Sequence, residues 1–147
     1  MRIKFKMPAA MLLLGIFAGC EGSYDFRSGD RPIYRDMITA DRLIALQDEG
    51  AIVLDVRLLE DFDSDPVLIP NSVYRDPDKI EAWVGQMSPK DGAVVVYCVH
   101  GKWVSQKAAN YLEEQGFEVY ALDGGIADWK LAGHMTSSLG ETDGVSL

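Results

Sequence analysis

Positive charge is what this chain of 147 residues has least of: 14 lysines and arginines face 23 aspartates and glutamates, for a formal net charge of −9. A surface of that sign argues against nucleic acid as a partner and offers no attraction to an anionic membrane. Histidine is scarcer still, at two residues. Cys98 and His100 would need further soft ligands to hold zinc and His134 is the only other candidate by type, so neither a metal nor another cofactor is expected. Long apolar runs are missing apart from Ala9 to Ala18, which is too short for the roughly 20 residues that a membrane span needs. No internal repeat breaks the chain up. Asp61, Asp63 and Asp65 alternate like the opening of a calcium loop, but Pro66 stands where that loop needs glycine and Ser72 where it needs glutamate, which leaves a solvated acidic loop. The length suits one globular domain.

The one apolar run follows Arg2, Lys4 and Lys6, the basic-then-apolar order of an export signal. It ends in Phe17-Ala18-Gly19-Cys20, which resembles the lipobox of bacterial lipoproteins, where small residues precede a cysteine that is lipidated and becomes the new N-terminus. Residues 1–19 are therefore expected to be a lipoprotein-type signal and Cys20 the lipidation site. The protein is expected to be exported and lipid-anchored to a bacterial membrane, its domain facing the periplasm. Loss of Arg2, Lys4 and Lys6 with the signal takes the net charge from −9 to −12. Attachment would then rest on the acyl chains, of which more than one is needed for stable anchoring. Residues 20–32, rich in glycine, serine and charge, read as a tether. With Cys20 carrying lipid, Cys98 has no intramolecular partner. An unpaired cysteine outside the cytoplasm reads as a reactive group or an intermolecular partner, with an inert buried cysteine as the alternative.

The placing of Cys98 favours reactivity. Ala93-Val94-Val95-Val96-Tyr97 has the apolar, β-branched composition of a strand covered on both faces. A helix follows from about Trp103 to Gln115, with Gly116 as its stop. Between them lies a short loop whose backbone N–H groups and helix dipole suit a thiolate. Upstream, Thr39 can cap a helix that runs to Gly50, and Ala51 to Leu54 reads as a second buried strand leading into Asp55-Val56-Arg57. Leu58 to Asp76 reads as one helical turn and a long loop, and Asp78 as the cap of a helix carrying Ile80, Trp83, Val84 and Met87. Downstream come a strand from Glu118 to Leu122, a tight turn at Asp123-Gly124-Gly125 and a last helix from Ile126 to Leu131. Trp83 and Trp129 fall at core positions. This alternation predicts an α/β fold over 33–133, a parallel sheet with helices on both faces, and a disordered tail over 134–147. Cys98 and the Asp55–Arg57 pair fall at carboxyl ends of strands, where such sheets carry their sites.

Five stretches then resemble, in order and spacing, the successive signatures of a rhodanese domain: Ile52-Val53-Leu54-Asp55-Val56-Arg57, Ile69-Pro70-Asn71-Ser72, the strand-to-cysteine loop, Gly116-Phe117, and Leu122-Asp123-Gly124-Gly125-Ile126-Ala127-Asp128-Trp129. The resemblance covers about residues 34–133. It implies a rhodanese-like parallel sheet and a sulfurtransferase in which Cys98 takes sulfane sulfur from a small donor, becomes a persulfide, and passes the sulfur to a thiol or cyanide-like acceptor. Val99, His100, Gly101, Lys102 and Trp103, with Arg57, would bind the donor, and Asp55 would support the loop by pairing with Arg57. Backbone N–H groups of the loop would hold the terminal sulfur as a cradle of donors holds an anion.

The loop departs from the family pattern at its end. Rhodanese loops commonly close on arginine at the sixth position, where this chain has Trp103 preceded by Lys102. A flexible ammonium does not reproduce a planar bidentate guanidinium, which bears on thiosulfate in particular. Trp103 either walls the pocket or anchors the helix, and His100 either acts on the donor or thiolate or faces solvent. Two competing functions follow. One is a catalytically inactive rhodanese-like module, tethered to the membrane, that binds a partner or senses redox state. The other is a phosphatase or arsenate reductase of the related loop type, disfavoured because the arginine those enzymes need six residues after the cysteine is Val104 here.

Overall fold

A computed structural model of the chain describes residues 24–29 and 33–139. The expected signal over 1–19, Cys20 and residues 140–147 lie outside the described residues. Five strands form one parallel sheet: β1 (Met37–Ile38), β2 (Ile52–Asp55), β4 (Ser72–Tyr74), β5 (Val94–Tyr97) and β6 (Val119–Leu122), in the order β1-β6-β5-β2-β4. β5 lies in the middle because its residues are apolar on both sides; Val94, Val95, Val96 and Tyr97 are each fully buried. Alternate residues feed two cores. Leu54, Val94 and Val96 pack with Ile80, Trp83, Ala108 and Leu112 on one face of the sheet. Val53, Val95 and Tyr97 pack with Leu43, Leu46, Ile126 and Trp129 on the other. The expected α/β architecture with helices on both faces is therefore what the chain forms.

The helices are α1 (Ala40–Asp48), α2 (Leu59–Ser64), α3 (Ile80–Val84), α4 (Trp103–Glu114) and α5 (Gly125–Leu131). Thr39 caps α1 as its sequence promises, accepting from the Arg42 N–H at 3.3 Å. The segment from Leu58 to Asp76 holds more than one helical turn and a loop. It contains α2, the edge strand β4, and β3 (Val67–Leu68). Asp76 rather than Asp78 provides the local cap: its carboxylate accepts from the Asp78 N–H at 3.1 Å and opens a 3-10 turn, Pro77–Lys79, that leads into α3.

The tail, expected to be disordered, and the tether both hold more structure among the described residues than their composition suggests. In the tail, β7 (Ser137–Ser138) pairs antiparallel with β3, the Trp129 indole N–H donates to the Met135 carbonyl at 2.8 Å, and the His134 ring lies 4.4 Å from that of Trp129. In the tether, residues 24–29 are folded onto the domain, with Phe26 1% exposed. Polar composition misled both readings, since a single aromatic anchor and a two-residue strand leave no periodicity to detect.

Candidate active site

β5 ends at the site because its last residue hands the chain to a loop instead of another turn of sheet. Cys98 follows Tyr97, and α4 begins at Trp103, so the loop occupies residues 98–102. Two glycines hold it against the start of α5. Gly101 has φ +64° and Gly125 φ +59°, the left-handed region that side chains disfavour. A Cβ on Gly125 would stand 2.3 Å from the Cys98 carbonyl oxygen, and one on Gly101 would stand 2.3 Å from that of Leu122. This contact lets the Ile126 N–H donate to the Cys98 carbonyl at 3.0 Å and the Ala127 N–H to that of Val99 at 2.9 Å. With these carbonyls committed to α5, the N–H groups of Val99, His100, Gly101 and Lys102 donate to no protein atom among the described residues.

The thiol of Cys98 is unpaired and 5% exposed. Its Sγ shares a hydrogen bond of 3.2 Å with the Ser105 hydroxyl, in which either atom can donate. Ser105 is fully buried on the first turn of α4. It is a site residue that sequence reasoning assigned no role. Its signal is a small hydroxyl in the first turn of the helix that follows the loop, a place that faces back toward the strand end.

The remaining expected site residues divide by exposure. His100 and Lys102 are exposed, Val99 and Trp103 are half-buried, and Gly101 is buried. Trp103 carries the Lys107 ammonium 5.0 Å from the centroid of its ring. Arg57 is 1% exposed and turned inward. Its Nε lies 3.0 and 2.9 Å from the two Asp55 carboxylate oxygens and its Nη2 2.6 Å from one of them, while Nη1 and Nη2 donate to the Asp65 and Val67 carbonyls at 2.9 and 2.7 Å. Burial pushes the Asp55 carboxyl up and the Arg57 contact opposes it; burial pulls the guanidinium down, and the Asp55 carboxylate more than restores it. Those bonds tie the end of β2 to the segment between α2 and β3. Asp55 and Arg57 thus form the ion pair that supports the local backbone, and Arg57 also borders the cavity beside the loop.

Beside the loop lies a cavity of about 140 Å³, lined by Val99, Ile126 and Ala127 together with Arg57, Asp61, Asp65 and Lys130. Lys130 and Asp65 form an ion pair across its rim. Cys98 does not line it.

Comparison with known proteins agrees with this geometry. The rhodanese-like domain family matches residues 39–132. The thiosulfate sulfurtransferase GlpE of Pseudomonas savastanoi pv. phaseolicola is 41% identical over 87 residues, which are 58% of this chain and 78% of that protein. A rhodanese-related protein from Thermoplasma volcanium superposes with a TM-score of 0.59 at 26% identity, over 70% of this chain and 97% of its own. A protein from Rhodopseudomonas palustris described as a possible tyrosine phosphatase superposes with a TM-score of 0.57 at 27% identity, over 68% of this chain and 83% of its own. Family match, sequence relatives and the strand-to-cysteine loop converge: the chain belongs to the rhodanese-like domain family and is a rhodanese-type sulfurtransferase.

Proposed function

We propose that Cys98 is the sulfur carrier of this enzyme and that thiosulfate serves as a donor. The observation that carries the reading is the Cys98 Sγ at the start of a loop whose N–H groups, from Val99 to Lys102, have no protein acceptor among the described residues. In the first half-reaction the Cys98 thiolate attacks the outer sulfur of thiosulfate, the S–S bond breaks, and sulfite leaves with the bonding pair. The enzyme keeps a persulfide whose terminal sulfur carries the negative charge. Loop N–H groups are the donors suited to that charge, as in other backbone anion cradles. In the second half-reaction a cyanide or thiolate acceptor attacks the terminal sulfur, forms the new bond to it, and returns the electron pair to Cys98 as thiolate. The Ser105 hydroxyl, 3.2 Å from Sγ, is placed to donate to the thiolate between turnovers. Lys102, an exposed cation of the loop, is the charge on offer to the donor's sulfonate end, and Val99, Gly101 and Trp103 shape the loop. The name of the Pseudomonas relative supports thiosulfate, and the family supports the carrier chemistry. Mass spectrometry of the full chain after exposure to thiosulfate tests it, with one added sulfur atom expected on Cys98.

We also propose that Cys20 bears the lipid that attaches this enzyme to a bacterial membrane, the domain on its periplasmic side. The support is the ordering of Arg2, Lys4 and Lys6, an apolar run from Ala9, and small residues directly before Cys20. Growth with a labelled fatty acid should label the wild-type protein and bring it down with the membrane fraction. Cys20→Ala should abolish the label; retention of label in that variant would refute Cys20 as the site.

A further inference from the structure

Lys107 is a buried cation that the reaction above does not use. It lies on α4 one turn beyond Trp103, and the residue is 7% exposed. A buried ammonium without partners is strongly unfavourable, so its bonds have to be sought. They go to the segment before the domain: Nζ donates to the carbonyl of Asp25 at 2.8 Å and to that of Ser28. A third side is met by the Trp103 ring, at 5.0 Å from its centroid, within cation–π range.

The strap that supplies these carbonyls is shaped to do so. The Asp25 carboxylate accepts from the Arg27 N–H at 2.8 Å and from the Ser28 hydroxyl, which closes a turn around the ammonium. Gly29, at φ +90°, completes it. Phe26 fastens the strap in the core, the Tyr24 ring lies 5.2 Å from that of Tyr111 on α4, and Arg27 pairs with Glu60 on α2 and with Asp78. A second tie runs in parallel. The Tyr34 N–H donates to Gln106 Oε1 at 3.1 Å, and Gln106 Nε2 donates to the Gly101 carbonyl, also at 3.1 Å. Asp25, Ser28 and Tyr34 all precede residue 39, where the family match begins.

We propose that Lys107 and Gln106 are positioning residues through which residues 24–29 and Tyr34 set the shape of the Cys98–Trp103 loop, so that the strap is a working part of the donor site. The proposal rests on the loop being the donor site. α5 holds the Cys98 and Val99 carbonyls, Gln106 holds that of Gly101, and Lys107 holds the Trp103 ring. The last two are anchored outside the region shared with the family.

Two variants of the full chain test this. Gln106→Glu keeps the acceptor for the Tyr34 N–H and loses the donor to Gly101. Lys107→Met keeps an aliphatic stem and loses the ammonium. In steady-state transfer from thiosulfate to cyanide, each variant should raise KM for thiosulfate about three- to tenfold while kcat changes by less than about twofold. Partial unfolding would instead lower kcat through the active fraction and leave KM in place. The iodoacetamide alkylation rate of Cys98, measured in parallel, should rise about threefold or more as the loop loosens. An unchanged KM together with an unchanged alkylation rate in Gln106→Glu would overturn the proposal. Should Lys107→Met fail to fold, Gln106→Glu decides alone. If the wild-type chain transfers nothing from thiosulfate, it is the donor assignment that fails, and the alkylation rates still decide whether the strap positions the loop.

Discussion

Cys98 and Ser105 meet at 3.2 Å in a place nearly closed to water, Cys98 being 5% exposed and Ser105 fully buried. A sulfur so enclosed has its reach set by the few groups around it, and the loop that begins at Cys98 carries an exposed cation, Lys102. That side chain is exposed and belongs to the loop itself, whereas Arg57 is locked by Asp55 and two carbonyls. An exposed ammonium contributes modestly and is screened by salt. Lys102→Ala should therefore raise KM for thiosulfate about threefold at low ionic strength, with the difference from wild type closing as salt is added and thermal melting unchanged. Steady-state kinetics across a salt series checks it; an equal KM at low salt would leave the loop N–H groups as the only donors to thiosulfate. Sequence reasoning located Cys98, Lys102 and the Asp55–Arg57 pair, because each stands beside a recognisable strand end. The Asp55–Arg57 ion pair was legible as well, but not the Asp65 and Val67 carbonyls that Arg57 also reaches, since spacing along the chain says nothing about which backbone a long side chain meets. Ser105 was passed over because a serine in a helix's first turn is ordinary there.

At the scale of elements, the site depends on α5 approaching the loop closely enough for its first N–H groups to reach two carbonyls. Gly125 makes that approach. Its replacement by alanine would set a Cβ 2.3 Å from the Cys98 carbonyl oxygen and 2.6 Å from that of Val99, in a left-handed backbone. Gly125→Ala should cost about 2–4 kcal/mol and lower sulfur transfer with it. Gly116 is the control: it has φ +89° with nothing within 4 Å of a Cβ, so Gly116→Ala should cost only about 1 kcal/mol of backbone strain. Urea melts of the two variants compare them directly, and equal losses would contradict the close-packing account. The long elements were legible in the sequence: β2, β5, α1 and α4 have enough apolar residues at strand or helix spacing to announce themselves. β1 and β7, of two residues each, and β4, with Val73 46% exposed on the sheet edge, have no such pattern and exist because neighbouring strands pair with them.

Over the whole molecule, each core holds a buried phenol tied by hydrogen bonds, Tyr34 in one and Tyr97 in the other. The Tyr34 hydroxyl donates to the Val119 carbonyl at 2.7 Å, and the Tyr97 hydroxyl lies 2.8 Å from Ser72 Oγ while accepting from the Ile69 N–H at 3.2 Å. Burial pushes both phenols well above their ordinary value, and the nearby carboxylates of Glu113 for Tyr34 and Asp55 for Tyr97 push further. A phenol raised in the folded state keeps its proton where the unfolded chain, at about pH 10, has lost it. Stability is thus unaffected by these groups below about pH 10 and falls above it, by up to about 1.4 kcal/mol per pH unit for each tyrosine. Urea melts at pH 8 and above pH 10 should show that decline for wild type and a shallower one for Tyr34→Phe; parallel curves would contradict it. At this scale the sequence showed one α/β domain and concealed its extent, because the strap at 24–29 has the composition of a linker and is fastened by scattered contacts of Tyr24, Phe26, Arg27 and Lys107 that leave no pattern. The most direct test of the whole account is the mass of Cys98 in the full chain after thiosulfate and again after cyanide. One added sulfur that cyanide removes as thiocyanate, absent in Cys98→Ser, is the predicted result. A chain that gains no sulfur on Cys98, or a Cys98→Ser variant that still transfers it, would contradict the account.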